Sequence, residues 1–557
     1  MLRPLLPLAL ALTGSLALAT PQDTLVMQIP AGIASIEPAQ AVAGYDPVPV
    51  QQIYEGLFLD DFGGYTPLVA TTYTQSDDGR VYTFTLREGV SFHDGSSMTC
   101  ADAEYSLRRT LLVGNETSRA AQVRSSVLGI QGFTPEVRET FTFDRLAETV
   151  HCNDAGQLVL SLERNVPTVL EAMTQTYVVP QAALAAAGDW SGTAADFADF
   201  MGRDVSDSAL ARAPLGTGAY RFVARDGSLT VLEAFDGYWG GQAPLQRAII
   251  QKVDGDTARV LALQQGDADI AILPDRDTLA RVAGSPGVTV YEELPLEDLS
   301  VDLMFNQDIR NPALLPTGQL AENSVPTDFF ADIHARKAFA AAFDLQTFVR
   351  DALQDKGEVM NTSLPPNSWA DDPSLERPTH DLEVAEAEFR QAYGGRLWEE
   401  GFTLPLIFTA GSSIDQIATG ILKQNIEGLN PKFHIEISTL ELSAGNAALF
   451  GGELTAMVLS WGGADPDTVL RGLYGSDGVL ATALNIRDPE LERLLSAAYN
   501  AVGQEARKPL YTELLRYLND QTYGVPLAVP LAFAATGSSL KGYPEYHRTG
   551  LFRTLSK

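Results

Sequence analysis

The spacing of apolar residues along the chain switches repeatedly between a period of two and a period near four, and each switch marks a predicted element. After the turn Asp77-Asp78-Gly79, Tyr82, Phe84 and Leu86 alternate with Val81, Thr83, Thr85 and Arg87, the pattern of a strand buried on one face. A first strand begins at Thr24, and others are predicted at 158–162, 219–223, 249–253, 269–273, 404–408, 432–438 and 455–460. Helical spacing predicts helices over 51–57, 101–112, 258–265, 336–344, 383–393 and 414–426. Thr99 and Asp102 read as a capping box, in which a hydroxyl and a carboxylate three residues apart satisfy each other's backbone amides. Asp488 is an N-cap with Pro489 in the first helical position, and Leu491, Leu494, Leu495 and Ala498 share one face. A following helix carries Leu510, Leu514, Leu515 and Leu518, again a core face. Strands alternating with helices throughout give an α/β fold class. No repeat and no long Gly/Ser tract separates the parts, so domains are joined by short crossings.

Composition sharpens this picture. At 557 residues the chain exceeds the roughly 100–200 residues of one domain, so two or three cores are expected. Lys+Arg 39 against Asp+Glu 71 gives a net charge of -32, which argues against nucleic acid and anionic membrane surfaces as partners. The acidity fits a solvated exterior or a pocket for a cation. Residues 1–19 carry Arg3, an apolar run over 5–12 and the small residues Ala17 and Ala19, and so read as a secretory signal peptide cut before Thr20. The run is shorter than the roughly 20 residues of a membrane span. No Cys follows it, so a lipid anchor is not expected. The two cysteines, Cys100 and Cys152, are expected to form a disulfide in an oxidising compartment, with a pair of buried or reactive thiols as the alternative.

A search for chemistry returns little. The six His are scattered without metal-ligand spacing, and no P-loop or Gly-x-Ser-x-Gly elbow is present. Gly216-Thr217-Gly218 lacks the lysine of a phosphate loop and reads as a tight turn. Phe92-His93-Asp94-Gly95 reads as a surface turn in preference to a His/Asp dyad. No catalytic residue, metal or cofactor is assigned.

Several motifs, in order, carry a resemblance. Ile53-Tyr54-Glu55-Gly56-Leu57 comes first, followed by the run from Ser76 to Val90 and Phe92-His93-Asp94-Gly95. Pro214-Leu215-Gly216-Thr217-Gly218-Ala219-Tyr220, Asp236-Gly237-Tyr238-Trp239-Gly240-Gly241, Gly266-Asp267-Ala268-Asp269-Ile270 and Arg336-Lys337-Ala338-Phe339 complete the series. From about Thr24 onward the chain resembles the extracytoplasmic solute-binding proteins of ABC importers, of the dipeptide- and oligopeptide-binding and nickel-binding type. The resemblance implies a two-lobed periplasmic binding protein fold with a hinge and a small domain inserted in the first lobe. It implies a first lobe made of 20–58, 176–272 and 488–557, an inserted domain over 59–175 and a second lobe over 273–487. It further implies a periplasmic monomer, not an enzyme, that captures a peptide by hinge closure and delivers it to an ABC permease and ATPase complex. An oligosaccharide or cationic small solute is the alternative ligand, and an exported hydrolase the alternative class.

By the same resemblance, Trp461 and Gly462 line the cleft opposite Gly44, Tyr45 and Asp46 of the first lobe. The turn after Trp461 is shorter than the family pattern and places Ala464 where an amine-binding Asp would stand. Asp465 or Asp467 takes that role after a loop shift, or else caps the next helix. Residues 409–416 and 449–460 contain no Lys or Arg to hold a ligand carboxylate.

Overall fold

The computed structural model describes residues 21–42, 44–61, 64–294, 299–366, 368–463 and 465–557. The signal peptide expected over 1–19 and Ala464 lie outside the described residues.

The chain builds two bodies, each on its own sheet. The first holds a seven-stranded sheet in the order Val288–Leu294, Ala532–Gly537, Ile270–Ala271, Thr24–Ile29, Arg247–Lys252, Leu229–Ala234, Tyr220–Arg225. Thr24–Ile29 runs parallel to both its neighbours, with Val26 opposite Ile249 and Met27 opposite Ile270. Covered on both faces, it reads as a nearly continuous apolar run and not as an alternation.

A separate antiparallel sheet joins Ala70–Gln75, Val81–Leu86, Leu158–Ser161 and Val150–Cys152, and buries Tyr82 and Phe84 of its alternating strand. The helix Cys100–Leu112 starts on the Thr99/Asp102 capping box. A disulfide between Cys100 and Cys152, with Cα atoms 6.1 Å apart, ties the helix's first turn to the edge strand. One continuous apolar core joins this unit to the seven-stranded sheet.

The second body carries a four-stranded sheet in the order Gly357–Val359, Gly524–Pro530, Leu299–Phe305, Ala456–Gly462, together with the parallel pair Phe402–Thr409 and Phe433–Leu440. Tilted and edge-on aromatics fill its centre, Phe402 and Phe433 lying 4.6 Å apart between ring centroids.

Two boundaries differ from the sequence reading. The second lobe was expected over 273–487, but the helix Arg276–Val282 and the strand Val288–Leu294 pack on the first sheet. The segment 488–557 was expected in the first lobe. Its helices Pro489–Asn500 and Gln504–Gln521 instead bury Leu491, Leu494, Leu495, Ala498, Leu514 and Leu515 against Val469, Leu470 and Leu473, and Gly524–Pro530 pairs within the second sheet. An amphipathic face specifies that a helix is buried, not which body buries it. The helix predicted over 51–57 is Pro47–Ile53, and Tyr54 is already extended. The chain straightens there because Gly56 bridges Tyr177, so close to another strand of backbone that a Cβ would lie 2.7 Å from the Thr174 carbonyl oxygen.

The chain passes between bodies after Leu294 and again at Leu531. The Leu531 amide donates to the Lys356 carbonyl at 3.0 Å, and its own carbonyl accepts from Arg276 Nη2 at 2.6 Å, so each body holds one side of the crossing residue. Lys356 also reaches Glu292 and Glu293 on the first body.

The disulfide closes a loop with a sequence separation of 52. A closure of that size stabilises by about 4 kcal/mol through the unfolded chain. Reduction, or Cys100→Ser with Cys152→Ser, is expected to lower the urea midpoint of the first body by a corresponding amount; an unchanged midpoint would show that the crosslink contributes nothing.

Candidate functional site

The bodies meet around the turn that follows the strand Ala456–Gly462. Trp461 pairs across the sheet with Ser300. Its half-buried ring lies against the helix Pro466–Tyr474, where Gly472 makes room: a Cβ there would fall 2.8 Å from Trp461 Nε1. The indole N–H faces the Thr468 carbonyl at 3.4 Å. Beneath the strand, Ser300 Oγ lies 2.6 Å from Asp302 Oδ2 and 3.1 Å from the Trp461 carbonyl oxygen. Ser363 donates to the other Asp302 oxygen at 2.8 Å. Asp302 is wholly buried among uncharged partners, and that burial pushes its carboxyl up to about 7.

Asp465 and Asp467 sit in different surroundings. Asp465 caps the helix Pro466–Tyr474 by accepting from the Asp467 amide at 2.9 Å. Both of its oxygens also accept from Arg507, at 2.9 and 2.6 Å, in a fork in which both side chains are buried. Its charge is therefore matched internally. Asp467 is buried one turn from Arg471, whose Nε lies 3.4 Å from Oδ2, while Oδ1 has no partner among the described residues. Burial pushes its carboxyl up to about 7 against the pull of Arg471.

The residue that closes the junction is one the sequence reading did not select. Glu171, on the helix Val169–Thr174 of the first body, accepts from Thr468 Oγ1 of the second body at 2.8 Å. Its carboxyl is pushed up to about 7, chiefly by burial and further by the nearby charges of Asp465 and Asp60, against the hydrogen bonds from Thr468 and the Asp465 amide. Burial raises the Tyr65 phenol, and the nearby charges of Asp465, Glu171 and Asp60 raise it further. Close by, Arg164 donates to Tyr499 Oη at 2.6 Å and Asn165 Nδ2 to the Tyr499 carbonyl at 3.1 Å, so the bodies touch at more than one place. Nothing in the spacing around Glu171 distinguishes it from a surface acid.

The first-body loop turns its polar groups inward. Asp46 is buried and accepts from the Ala34 amide at 2.6 Å, Tyr45 packs partly on the first core, and Gly44 is exposed. His93 is a structural residue: Nε2 lies 3.0 Å from the Gly218 carbonyl oxygen and Nδ1 accepts from the Gly216 amide at 3.4 Å, which assigns the proton to Nε2. Burial lowers its pKa to about 4.

Two outcomes follow from this geometry. Arg507→Ala leaves Asp465 buried and unmatched and is expected to cost about 3–5 kcal/mol in urea unfolding; a loss below about 1 kcal/mol would show the pair to be dispensable. Glu171 has a pKa raised above the ordinary 4.5, so its contribution to the joined bodies is full below pH 4.5 and lost as pH rises toward 7. Small-angle scattering is expected to show a more open particle at pH 8 than at pH 5, and Glu171→Gln is expected to flatten that dependence.

Comparison with known proteins agrees with the two-body architecture. Residues 64–480 match the family model described as bacterial extracellular solute-binding proteins, family 5, middle. The chain is 24% identical over 506 residues to heme-binding protein A of Haemophilus influenzae, covering 88% of this chain and 84% of that protein. It is 22% identical over 493 residues to the dipeptide-binding protein of Escherichia coli, covering 86% and 83%. Among solved structures, the ABC transporter substrate-binding protein CtaP of Listeria monocytogenes superposes with a TM-score of 0.75 at 18% identity, covering 96% of this chain and 98% of that one. The murein tripeptide-binding protein MppA of Escherichia coli does so at 0.68 and 19% identity, covering 97% and 99%. With a family match spanning most of its length and both sheets in place, the chain belongs to the bacterial extracellular solute-binding proteins of family 5.

Proposed function

We propose that the protein is the periplasmic solute-binding component of an ABC importer, that it captures a short peptide between its two bodies, and that it performs no chemistry on it. The observation that carries this reading is the contact of Glu171 with Thr468 beside Trp461. It joins the two bodies at a point where carboxylates outnumber their cations. Burial holds both Glu171 and Asp467 near 7, Glu171 with no ion-pair partner within 4 Å among the described residues and Asp467 with Arg471 on one oxygen only. A ligand ammonium placed between Glu171 and the Trp461–Asp467 turn would supply a counter-charge, and the indole would shield it from water. Because such a ligand touches both bodies, it favours the joined state by its differential affinity for joined over separated bodies. The permease and ATPase then act on the joined form. A cationic small solute satisfies the same carboxylates and is the second reading. The names of several relatives, which include dipeptide- and di/tripeptide-binding proteins, favour the peptide.

Export fits the leader-like residues 1–19, and no helix among the described residues is long and apolar enough to cross a membrane. Residues Gly44, Tyr45 and Asp46 would form the first-body rim, and Gly462 would give the ligand close access to backbone.

Titration with di- and tripeptide pools, followed by mass spectrometry of what stays bound, is expected to recover intact peptides in one-to-one stoichiometry. Trp461→Ala should weaken their binding tenfold or more, about 1.4 kcal/mol, with the circular dichroism spectrum preserved. Cleaved peptides, or equal binding by the variant, would contradict the reading.

A further inference from the structure

A chain of polar groups runs through the second body beneath the Trp461 turn. It starts at the Trp461 carbonyl and passes through Ser300, Asp302 and Ser363 to the Tyr474 hydroxyl. All four side chains are buried, those of Ser300 and Asp302 completely. Four oxygen–oxygen contacts link the chain: 3.1 Å from the Trp461 carbonyl to Ser300, 2.6 Å from Ser300 to Asp302 Oδ2, 2.8 Å from Asp302 Oδ1 to Ser363, and 2.6 Å from Ser363 to Tyr474.

Each contact needs a hydrogen between its two oxygens. A serine or tyrosine hydroxyl supplies one hydrogen, and a carbonyl or an ionised carboxylate supplies none. Ser300, Ser363 and Tyr474 therefore bring three hydrogens to four contacts. With Tyr474 donating to Ser363 and Ser363 to Asp302 Oδ1, Ser300 has one hydrogen for two acceptors. If Asp302 is ionised, the Ser300 hydroxyl turns to it and the Trp461 carbonyl loses that hydrogen. If Asp302 is the neutral acid, its own O–H serves the 2.6 Å contact and frees Ser300 for the carbonyl. Only the neutral acid satisfies all four contacts.

The surroundings favour the same form. Asp302 lies opposite Leu459 on one side and Pro526 on the other, and neither Ala456–Gly462 nor Gly524–Pro530 contains a titratable residue. From the helix Pro466–Tyr474 it is faced by Tyr474, whose phenol is raised by burial and further by the charge of Asp302. Asp467 and Arg471 of that helix face each other. From the stretch after Val359 it meets the uncharged Ser363, while Asp371 there accepts from Thr362 at 2.6 Å. Burial thus holds the Asp302 carboxyl near 7, against the hydrogen bonds from Ser300 and Ser363.

We propose that Asp302 is a proton-donating residue that positions the ligand-binding turn: as the neutral acid it donates to Ser300, Ser300 donates to the Trp461 carbonyl, and loss of the proton releases that carbonyl. The assignment rests on the reading of Trp461 given above and adds to it a control by pH. Glu171 and Asp467 attract an ammonium more strongly as they ionise, whereas ionised Asp302 unfastens the turn beside them. The two effects oppose each other as pH rises through about 7.

The test uses the full-length protein and two variants. Asp302→Asn puts an amide N–H where the acid O–H stood and cannot ionise, and Ser300→Ala removes the relay. The folded-state pKa of Asp302 lies above the ordinary 3.8, so its contribution to stability is full below pH 3.8 and lost as pH rises through about 7. Without ligand, the urea midpoint of Asp302→Asn relative to the parent should therefore shift upward between pH 5.5 and pH 8.5. In calorimetry with trialanine, Asp302→Asn should stay within about twofold of the parent at pH 5.5 and bind at least threefold more tightly than it at pH 8.5. Comparing the two proteins at one pH cancels the ionisation of Glu171 and Asp467, which they share. Ser300→Ala should bind at least threefold more weakly than the parent at pH 5.5. The same urea gap at both pH values, or failure of Asp302→Asn to fold, shows that the fold holds the ionised form and overturns the assignment. Unchanged trialanine affinity in both variants also overturns it, because Asp302 then titrates without positioning Trp461. Absence of peptide binding by the parent contradicts the peptide reading instead, and the urea comparison still decides where the proton sits.

Discussion

The chain between Gly524 and Gly537 supplies a strand to each of two sheets, and the architecture depends on that shared backbone. Gly524–Pro530 pairs in the second body, Ala532–Gly537 pairs in the first, and Leu531 alone stands between them. Strand amides and carbonyls must find partners when buried, so neither half can leave its sheet without exposing a row of unmatched groups. Leu531 is therefore the one residue of this stretch that belongs to neither sheet. Among the described residues, polar contacts between the bodies include Glu171 with Thr468, Arg164 and Asn165 with Tyr499, and, beside the crossing at Leu531, Lys356 with Glu292 and Glu293 and Gln354 with Asp277. A bound solute that touches both bodies adds to these and so favours the joined state.

Charge is arranged with the same economy. Where a carboxylate must hold a shape, it is matched: Asp465 by Arg507, and Glu37 and Asp189 both by Arg109. Where the bodies face each other, Glu171 meets only the uncharged Thr468, Asp467 leans on Arg471 through one oxygen, and burial holds both carboxyls near 7. A buried charge with a fixed partner stabilises one conformation, and one without a partner leaves room for an incoming ion.

The sequence was most readable where a pattern is local. The strand Val81–Leu86 follows from alternation, and the helices beginning at Cys100 and Pro489 follow from their caps. Asp465 was ambiguous because its partner Arg507 lies far along the chain, and no spacing rule connects them; only the N-cap preference pointed to the position it takes. Glu171 was invisible for the same reason, since its importance comes from Thr468 on another body. The allocation of 488–530 failed because apolar faces are interchangeable between cores, whereas the chain's passage through Leu531 is set by pairing on both sides of it.

The place of Ala532–Gly537 in the first sheet bears on how the molecule comes into being. It fills the gap between Val288–Leu294 and Ile270–Ala271, so Ile270 waits for Thr536. A polypeptide delivered N-terminus first, by ribosome or by translocation channel, has its opening strand early and the last member of that sheet only at the very end. Long-range pairings of this kind are slow to nucleate. Through most of its delivery the chain thus holds an incomplete sheet, and the strand that fills the gap is present only once residues up to 537 have emerged.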